Sequence, residues 1–220
     1  MGQAVSPMQE SGAQCLRLSA VDWRTYSRLL RAFAERPGIR LAYDRGELEI
    51  MTPLLEHDNE GRLLGRFVVA LTEELGLSLM SGGATTLRRR LRRRGIEPDE
   101  SFWIANAPRM AGRRRLDLRT DPPPDLVIEI DVSRSSLNRL EIYAALKVPE
   151  VWRLEGDSLA FQTLRVDGNY ENALTSRSFP SITPGDLMRF LQKAREGQDE
   201  NAVVREFRAW MRSRPSTAAH

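Results

Sequence analysis

Acidic side chains on two predicted strands are the residues of this sequence best suited to chemistry. One strand follows three prolines and carries Asp125, Glu129 and Asp131 at alternating positions. Because successive side chains of a strand point to opposite faces, these three carboxylates share one face. Asp99, after Pro98, begins the other strand. Bare charges inside a protein cost several kcal/mol, so these groups must be paired, protonated or bound to a metal.

If the two strands are neighbours, the carboxylates of Asp99 and Glu129 converge on one point. Hard divalent ions such as Mg²⁺, with Mn²⁺ as a substitute, are bound by such oxygen ligands together with water and phosphate. A metal held there activates water and stabilises the charge on a phosphodiester being cut. The alternative for Glu129 and Asp131 is an ion-pair network with local arginines. Asp99 is also typical of a turn before a strand, and Asp125 of a turn or solvated residue beside the prolines.

A dense basic run between residues 88 and 94 predicts contact with a polyanion such as DNA. Guanidinium groups bind phosphates well, and each neutralised phosphate adds salt-dependent affinity. The alternative is a solvated charged loop or strand edge. The arginines of this run are Arg88, Arg89, Arg90, Arg92, Arg93 and Arg94.

Composition excludes several other classes of protein. The 220 residues are enough for one substantial core, and the single cysteine, Cys15, permits no internal disulfide. No apolar run approaches the length of a membrane helix, and we expect a cytoplasmic protein that does not contact a membrane. His57 is the only histidine besides His220, so neither a zinc site nor a Ser-His-Asp triad is supported.

Hydrophobic periodicity predicts one mixed α/β domain with no internal repeat. Ser19 is a candidate N-cap for the first helix, and residues 77–81 and 84–90 are predicted to pair around Gly82 and Gly83. The predicted helices span about 20–36, 57–76, 139–145, 186–194 and 201–212. The predicted strands span about 40–43, 47–51, 77–81, 84–90, 98–104, 126–131, 151–154 and 159–164.

Several ordered stretches of the sequence resemble one family. Residues 41–53 followed by His57, then 97–104, 123–130 and 143–152, are similar to the Uma-type restriction endonucleases, and the similarity covers roughly residues 18–192. That family belongs to the restriction-endonuclease-like superfamily, which is named for its PD-(D/E)XK motif. The resemblance implies a core with a central mixed β-sheet flanked by helices and a Mg²⁺-dependent site that cleaves DNA.

The same resemblance assigns roles to individual residues. Asp99 would be the motif aspartate and Glu129 the acidic residue of the next strand, both as metal ligands. Asp131 stands where the motif has its lysine. The family typically carries a lysine four residues before a tyrosine, here Tyr143, and that position is Arg139. Arginine keeps the charge and can orient phosphate or water, but it cannot act as a base.

Two further residues are weaker candidates for the site. His57 is a second-rank candidate, because a lone histidine is more often structural than catalytic. Lys147 lies two helical turns beyond Arg139, at a position where the family usually has glycine, which makes it an uncertain substitute for the lysine.

Two hypotheses from different classes follow. The first is a metal-dependent endonuclease acting on DNA, and the second is a nuclease-fold module that cleaves weakly or not at all and binds nucleic acid or a protein. The expected organisation is a flexible tail over residues 1–17, the nuclease-like domain over 18–194 and a C-terminal helical extension over 195–220. The apolar face near Phe207 and Trp210 of that extension is a candidate surface for a homodimer.

Overall fold

The computed structural model of the protein describes residues 14–36, 38–52, 55–131 and 137–214. Its strands pair into two sheets and its helices cover them, as a mixed α and β architecture. The strands are β1 (Gln14–Leu18), β2 (Arg40–Asp44), β3 (Glu47–Thr52), β4 (Met80–Ser81), β5 (Leu87–Arg89), β6 (Arg94–Ile96), β7 (Glu100–Trp103), β8 (Leu126–Ile130), β9 (Glu150–Glu155), β10 (Ser158–Leu164) and β11 (Tyr170–Ala173). The helices are α1 (Trp23–Ala32), α2 (Leu55–Glu74), α3 (Ala107–Met110), α4 (Arg139–Leu146), α5 (Pro184–Arg195) and α6 (Glu200–Ser213).

The two sheets differ in size and in strand direction. The first sheet has the order β1-β3-β2-β6-β5, with every neighbouring pair antiparallel. The second has the order β11-β10-β9-β8-β7-β4 and is mixed, because β8 and β9 run parallel. Parallel strands need a long crossover connection, and here it contains α4. The predicted mixed fold class is confirmed, although the strands divide between two sheets rather than one.

Strand β8 lies between two apolar clusters. Its side chains alternate between the two faces of the sheet, so successive residues pack in different clusters. Leu126, Ile128 and Ile130 belong to the large core formed with α2, α5 and α6. Val127 belongs to the second cluster, together with Ile142 and other residues of α4. The predicted alternation along this strand is therefore confirmed. Glu129 shares the face of Val127 and is directed toward α4.

Helix α2 packs closely against β7 and β8 because two glycines line its inner side. A Cβ atom added at Gly61 would lie 3.5 Å from Ile130 and 3.6 Å from Cβ of Asp99. One added at Gly65 would lie 3.4 Å from Phe102 and 3.6 Å from Cγ of Glu100. The absence of side chains at these positions brings the helix against the start of β7, where Asp99 is placed.

The pairing predicted around Gly82 and Gly83 is wrong. Strand β4 pairs with β7 in the mixed sheet, whereas β5 pairs with β6 in the other sheet. Gly82 packs so closely on β7 that an added Cβ would lie 2.5 Å from the Trp103 ring. Leu87 of β5, in contrast, is fully buried in the cluster shared with α4. Strands β4 and β5 therefore do not form a hairpin, because they belong to different sheets.

The first helix begins later than predicted. Asp22, rather than Ser19, caps α1 and accepts a hydrogen bond from the Thr25 amide at 2.6 Å. Ser19 instead donates to the carboxylate of Glu47. Residues 14–17, which the sequence assigned to the tail, form part of the edge strand β1 and pair with β3. Residues 1–13 lie outside the described part.

Helix α6 completes the large core instead of leaving an open apolar face. Phe207 is fully buried, with its ring centroid 4.7 Å from that of Phe67 and 5.2 Å from that of Phe190. Trp210 is half-buried, and the guanidinium groups of Arg189 and Arg214 cover its ring. Phe207 is thus not available for the predicted dimer surface. No helix in the described ranges is long and apolar enough to span a membrane.

Gly95 of β6 provides a test of this packing. A methyl group there would overlap the Oη atom of Tyr26, which is fully buried and stacked on Tyr43. We expect Gly95→Ala to lower the free energy of unfolding by about 1–3 kcal/mol, because well-packed cores do not accept an added carbon. Urea unfolding measures the loss.

Gly185→Ala is the matched control, because the nearest atom to its added methyl is Thr183 Oγ1 at 3.9 Å. Tyr26→Phe in the Gly95→Ala background should recover part of the loss, since it removes the overlapping oxygen. Equal stability of the Gly95→Ala and Gly185→Ala variants would show that the described contact of β6 with α1 is wrong.

Candidate active site

Asp99 and Glu129 are brought together by the pairing of β7 with β8. Glu100 lies opposite Ile128 in this antiparallel pair, and Asp99, the residue before β7, accepts a hydrogen bond from the amide of Ile130, the residue after Glu129. The charge of Asp99 raises the pKa of Glu129, which is consistent with two carboxylates in one neighbourhood.

Both carboxylate oxygens of Glu129 have donors in the structure. Its Oε1 accepts a hydrogen bond from the Tyr143 hydroxyl, and its Oε2 forms an ion pair with the guanidinium of Arg139. The residue is 3% exposed. Burial raises the pKa of Glu129 to about 7, against the opposing effect of Arg139. Arg139, the residue that the resemblance aligns with the family's lysine, therefore contacts Glu129 directly.

Arg139 is the first residue of α4, and its neighbours account for its charge. The helix is capped by Asn138, whose side chain accepts from the Glu141 amide. Burial alone would lower the pKa of Arg139, but the negative charges of Glu129 and Asp99 and the Tyr143 hydroxyl hold it above its ordinary value. The guanidinium stays protonated and serves as the internal cation for the two carboxylates.

Asp99 is fixed by the backbone of the neighbouring strand. Its Oδ2 accepts a hydrogen bond from the Ile130 amide at 2.8 Å. Burial raises the pKa of Asp99, while that hydrogen bond and the guanidiniums of Arg139 and Arg40 act in the opposite direction. Among the described residues, the carboxylate is held at the end of β8 by this backbone hydrogen bond and has no direct ion pair.

The other two carboxylates of β8 have separate partners. Asp131 pairs with Arg153 of β9, whose Nε lies 3.0 Å from Oδ2. Asp125 accepts from the amides of Ile104 at 2.8 Å and Asn106 at 2.9 Å, and so orders the chain after β7. Asp131 lines the same cavity as Glu129 but is paired with Arg153, whereas Asp125 lines a different cavity.

The two remaining candidates are His57 and Lys147, and the structure describes them to different extents. The backbone of His57 lies in α2, and its side chain lies outside the described residues. Lys147 ends α4 and lines a different cavity, with Asp125 and Arg177. The structure therefore places Lys147 outside the cavity that Glu129 and Arg139 line.

Glu49 of β3 was missed by the sequence analysis. Its side chain is fully buried and accepts a hydrogen bond from the Leu137 amide at 3.0 Å, just before α4. Burial raises the pKa of Cys15 in β1, the charge of Glu49 acts in the same direction, and that of Arg139 acts in the opposite direction. A glutamate between Leu48 and Ile50 was the available signal. Through its hydrogen bond with the Leu137 amide, Glu49 joins the first sheet to the segment that precedes α4.

A cavity of about 280 Å³ opens beside this cluster. Its walls include Glu129, Arg139 and Tyr143, together with the pair of Asp131 and Arg153. Within the described ranges, no group of three or more histidine, cysteine, aspartate or glutamate side chains is arranged to hold a metal ion. Any metal here would depend on the two carboxylates of Asp99 and Glu129 and on ligands from outside the protein.

The arginines of the basic run, between residues 88 and 94, do not lie on one common surface. Arg94 is largely buried and pairs with Asp44, with Nε 2.8 Å from Oδ1. Arg89 donates to the Leu118 carbonyl. Arg92 and Arg93 are exposed at and after a short 3-10 turn. Arg88 and Arg90 line a groove on the first sheet.

The fold is shared with a solved structure of another protein. A solved structure from Anabaena variabilis, titled as a "putative nuclease belonging to DUF820", superposes with a TM-score of 0.52. The two sequences are 18% identical, and the match covers 74% of this chain and 98% of the other. At 18% identity, this similarity shows that the two proteins share a fold.

The family is defined by the sequence match. The Uma2 family model, described as "Putative restriction endonuclease", matches residues 23–194. This is well over half of the 220 residues, and the chain belongs to the Uma2 family. No curated protein matches the sequence.

The half-buried carboxylate of Asp99 should reduce stability at neutral pH. Its folded pKa lies above the unfolded value, so its stabilising contribution is present at low pH and is lost as the pH rises through the folded value. Asp99→Asn keeps an oxygen for the Ile130 amide without the charge. We expect this variant to gain stability relative to the wild type between pH 4 and pH 8, as measured by urea unfolding in EDTA.

Asp167→Asn is the control, because the hydrogen bond from the Asn169 amide lowers the pKa of Asp167 below its ordinary value. Its effect should stay constant above pH 4. A difference between wild type and Asp99→Asn that does not change with pH would contradict the assignment of Asp99 to a half-buried, desolvated position.

Proposed function

We propose that the protein is a divalent-metal-dependent endonuclease that hydrolyses phosphodiester bonds of DNA. The observation that carries the proposal is that Asp99 accepts a hydrogen bond from the Ile130 amide, next to Glu129, and that Glu129 pairs with the largely buried guanidinium of Arg139. Membership of the Uma2 family supports nuclease activity. In this proposal Asp99 and Glu129 are the metal ligands, and Arg139 supports the phosphate.

The two carboxylates suit Mg²⁺ in kind, with Mn²⁺ as a substitute. Hard divalent ions take oxygen ligands, and Mg²⁺ commonly uses one or two carboxylates while water and substrate phosphate complete its shell. Both Glu129 oxygens already accept one hydrogen bond each, but a carboxylate oxygen has a second lone pair. A divalent ion bound there would supply an activated water and neutralise charge on the phosphate.

The residues of the site have separable tasks in this proposal. Arg139 presents a fixed cation that attracts and orients a phosphate, and it does not exchange a proton at neutral pH. Tyr143 holds the orientation of the Glu129 carboxylate through its hydroxyl. The Ile130 amide does the same for Asp99. The proton of the attacking water must therefore go to solvent or to the substrate phosphate, because none of these groups is a ready base.

A second function is favoured by one feature of the same site. Arg139 replaces the lysine typical of the family and occupies Oε2 of Glu129. A cation in that position competes with a metal ion for the carboxylate. The alternative is thus a nuclease-fold module that binds nucleic acid or a protein partner without efficient cleavage.

Metal binding separates the two proposals. We expect the wild type to bind Mn²⁺ in calorimetry, and Asp99→Ala or Glu129→Ala to reduce the affinity at least tenfold, because each removes one of two protein ligands. Asp131→Asn is the matched variant. It removes a carboxylate from the same strand face and should keep the Mn²⁺ affinity within about threefold, since Asp131 is engaged with Arg153. A wild type that binds no Mn²⁺ would favour the binding module.

Plasmid nicking tests the role of the guanidinium. We expect Arg139→Lys to increase the Mg²⁺-dependent nicking rate at least about tenfold, because a lysine at this position can lose its proton and assist the attacking water once a bound metal ion offsets the charges of the two carboxylates. Arg139→Met has a similar length without charge and should abolish nicking. An Arg139→Lys variant no faster than the wild type would show that the arginine does not limit the reaction.

A further inference from the structure

A second concave surface carries the strongest concentration of positive charge in the described part of the chain. It is a groove of about 440 Å³ on the side of the first sheet. Its arginines come from three separate segments, which are α1, the end of β5 with the following turn, and the loop between α3 and β8. They are Arg31, Arg88, Arg89, Arg90, Arg115 and Arg119.

Most of this charge has no counter-charge in the protein. Asp117 is the one acidic residue on the groove wall, and Arg119 binds both of its carboxylate oxygens. The hydrogen bonds from Arg119 lower the pKa of Asp117 to about 2, so that this pair is internally neutral. Arg31, Arg88, Arg90 and Arg115 are exposed and form no ion pair with any residue that the structure describes. Four positive charges therefore face the same concavity.

The groove rests on buried residues of the protein core. Arg89 donates from Nε to the Leu118 carbonyl at 3.1 Å and thereby joins β5 to the loop. Leu118 and Leu87 are buried in the cluster that also contains Tyr143 of the candidate active site. The groove and the cavity beside Glu129 share no lining residue, but they rest on the same core. A ligand in the groove would thus be held at a constant position relative to the active site.

We propose that this groove binds the phosphodiester backbone of the nucleic acid substrate, which rests on the proposed nuclease function. Each guanidinium presents a fork of donors that matches phosphate oxygens. Four uncompensated cations exceed the charge of a single phosphate and suit a polymer that carries one charge on each nucleotide. The half-buried ring of Trp23 on the groove wall adds an apolar contact for sugar or base.

The groove also redefines which arginines of the basic run contact nucleic acid. Arg88, Arg89 and Arg90 line it, whereas Arg92 and Arg93 are exposed outside it. Arg94 is committed to Asp44 and Glu141. Position in the fold, and not the density of arginine in the sequence, selects the contacting residues.

Binding of a fluorescent 30-base-pair duplex in EDTA tests the proposal without cleavage. We expect Arg88→Gln/Arg90→Gln to weaken binding at least tenfold at 0.1 M salt. Each phosphate contact contributes about 0.9 to the slope of log affinity against log salt, so losing two should reduce the slope by up to about 1.8. Arg31→Gln/Arg115→Gln should behave in the same way, because these residues reach the groove from other segments.

Arg92→Gln/Arg93→Gln is the matched control. It removes the same charge from the same run but leaves the groove intact, and it should change the affinity by no more than about twofold. Thermal unfolding of every variant checks that the fold is retained. Equal weakening by the control pair, or no weakening by the groove pairs, would overturn the proposal, as would a wild type that does not bind the duplex at 50 mM salt.

Failure of this proposal can be told apart from failure of the nuclease function. Asp99→Ala should bind the duplex as the wild type does in EDTA, whereas its plasmid nicking should be lost. The groove pairs should bind weakly and still nick at raised enzyme concentration. If the Arg88→Gln/Arg90→Gln and Arg31→Gln/Arg115→Gln variants bind the duplex normally, the groove proposal is refuted. The nuclease proposal is not affected by that result.

Discussion

The contact on which the rest of the site depends is the buried ion pair of Arg139 and Glu129. Taking two charges out of water is costly, and removal of one partner from such a pair commonly destabilises a protein by about 3–5 kcal/mol. Here the pair joins the first turn of α4 to the middle of the mixed sheet, and Tyr143 of the same helix holds the second oxygen of Glu129. Strand, helix and carboxylate orientation are thus set by one small network.

The architecture makes this network possible by burying β8 on both faces. One face packs in the large core, while the other meets α4 and the first sheet. A carboxylate on the second face is largely withdrawn from bulk water, and Glu129 takes its donors from within the protein. Asp99 enters the same region only because β7 pairs with β8 and the glycines of α2 leave room at its start.

Local patterns in the sequence predicted most of the elements that position the site. The alternation in β8, the helical spacing in α2 and the hairpin of β2 with β3 depend on neighbouring residues, and the structure confirms them. The division of strands between two sheets depends on long-range burial, as at Gly82 and Leu87, which a local pattern does not contain. Glu49 was missed for the same reason, because its neighbours come from the start of another element.

The position of Arg139 at the start of α4 has a consequence for how this part of the chain forms. The amino-terminal end of a helix carries a partial positive charge, and a cation there is unfavourable unless an anion offsets it. Glu129 is that anion, but it belongs to a strand that precedes the helix by several residues. The Asn138 cap and Glu141 favour the first turn of α4 locally, but the turn is more stable when β8 is in place, which couples docking of the strand to formation of the crossover helix.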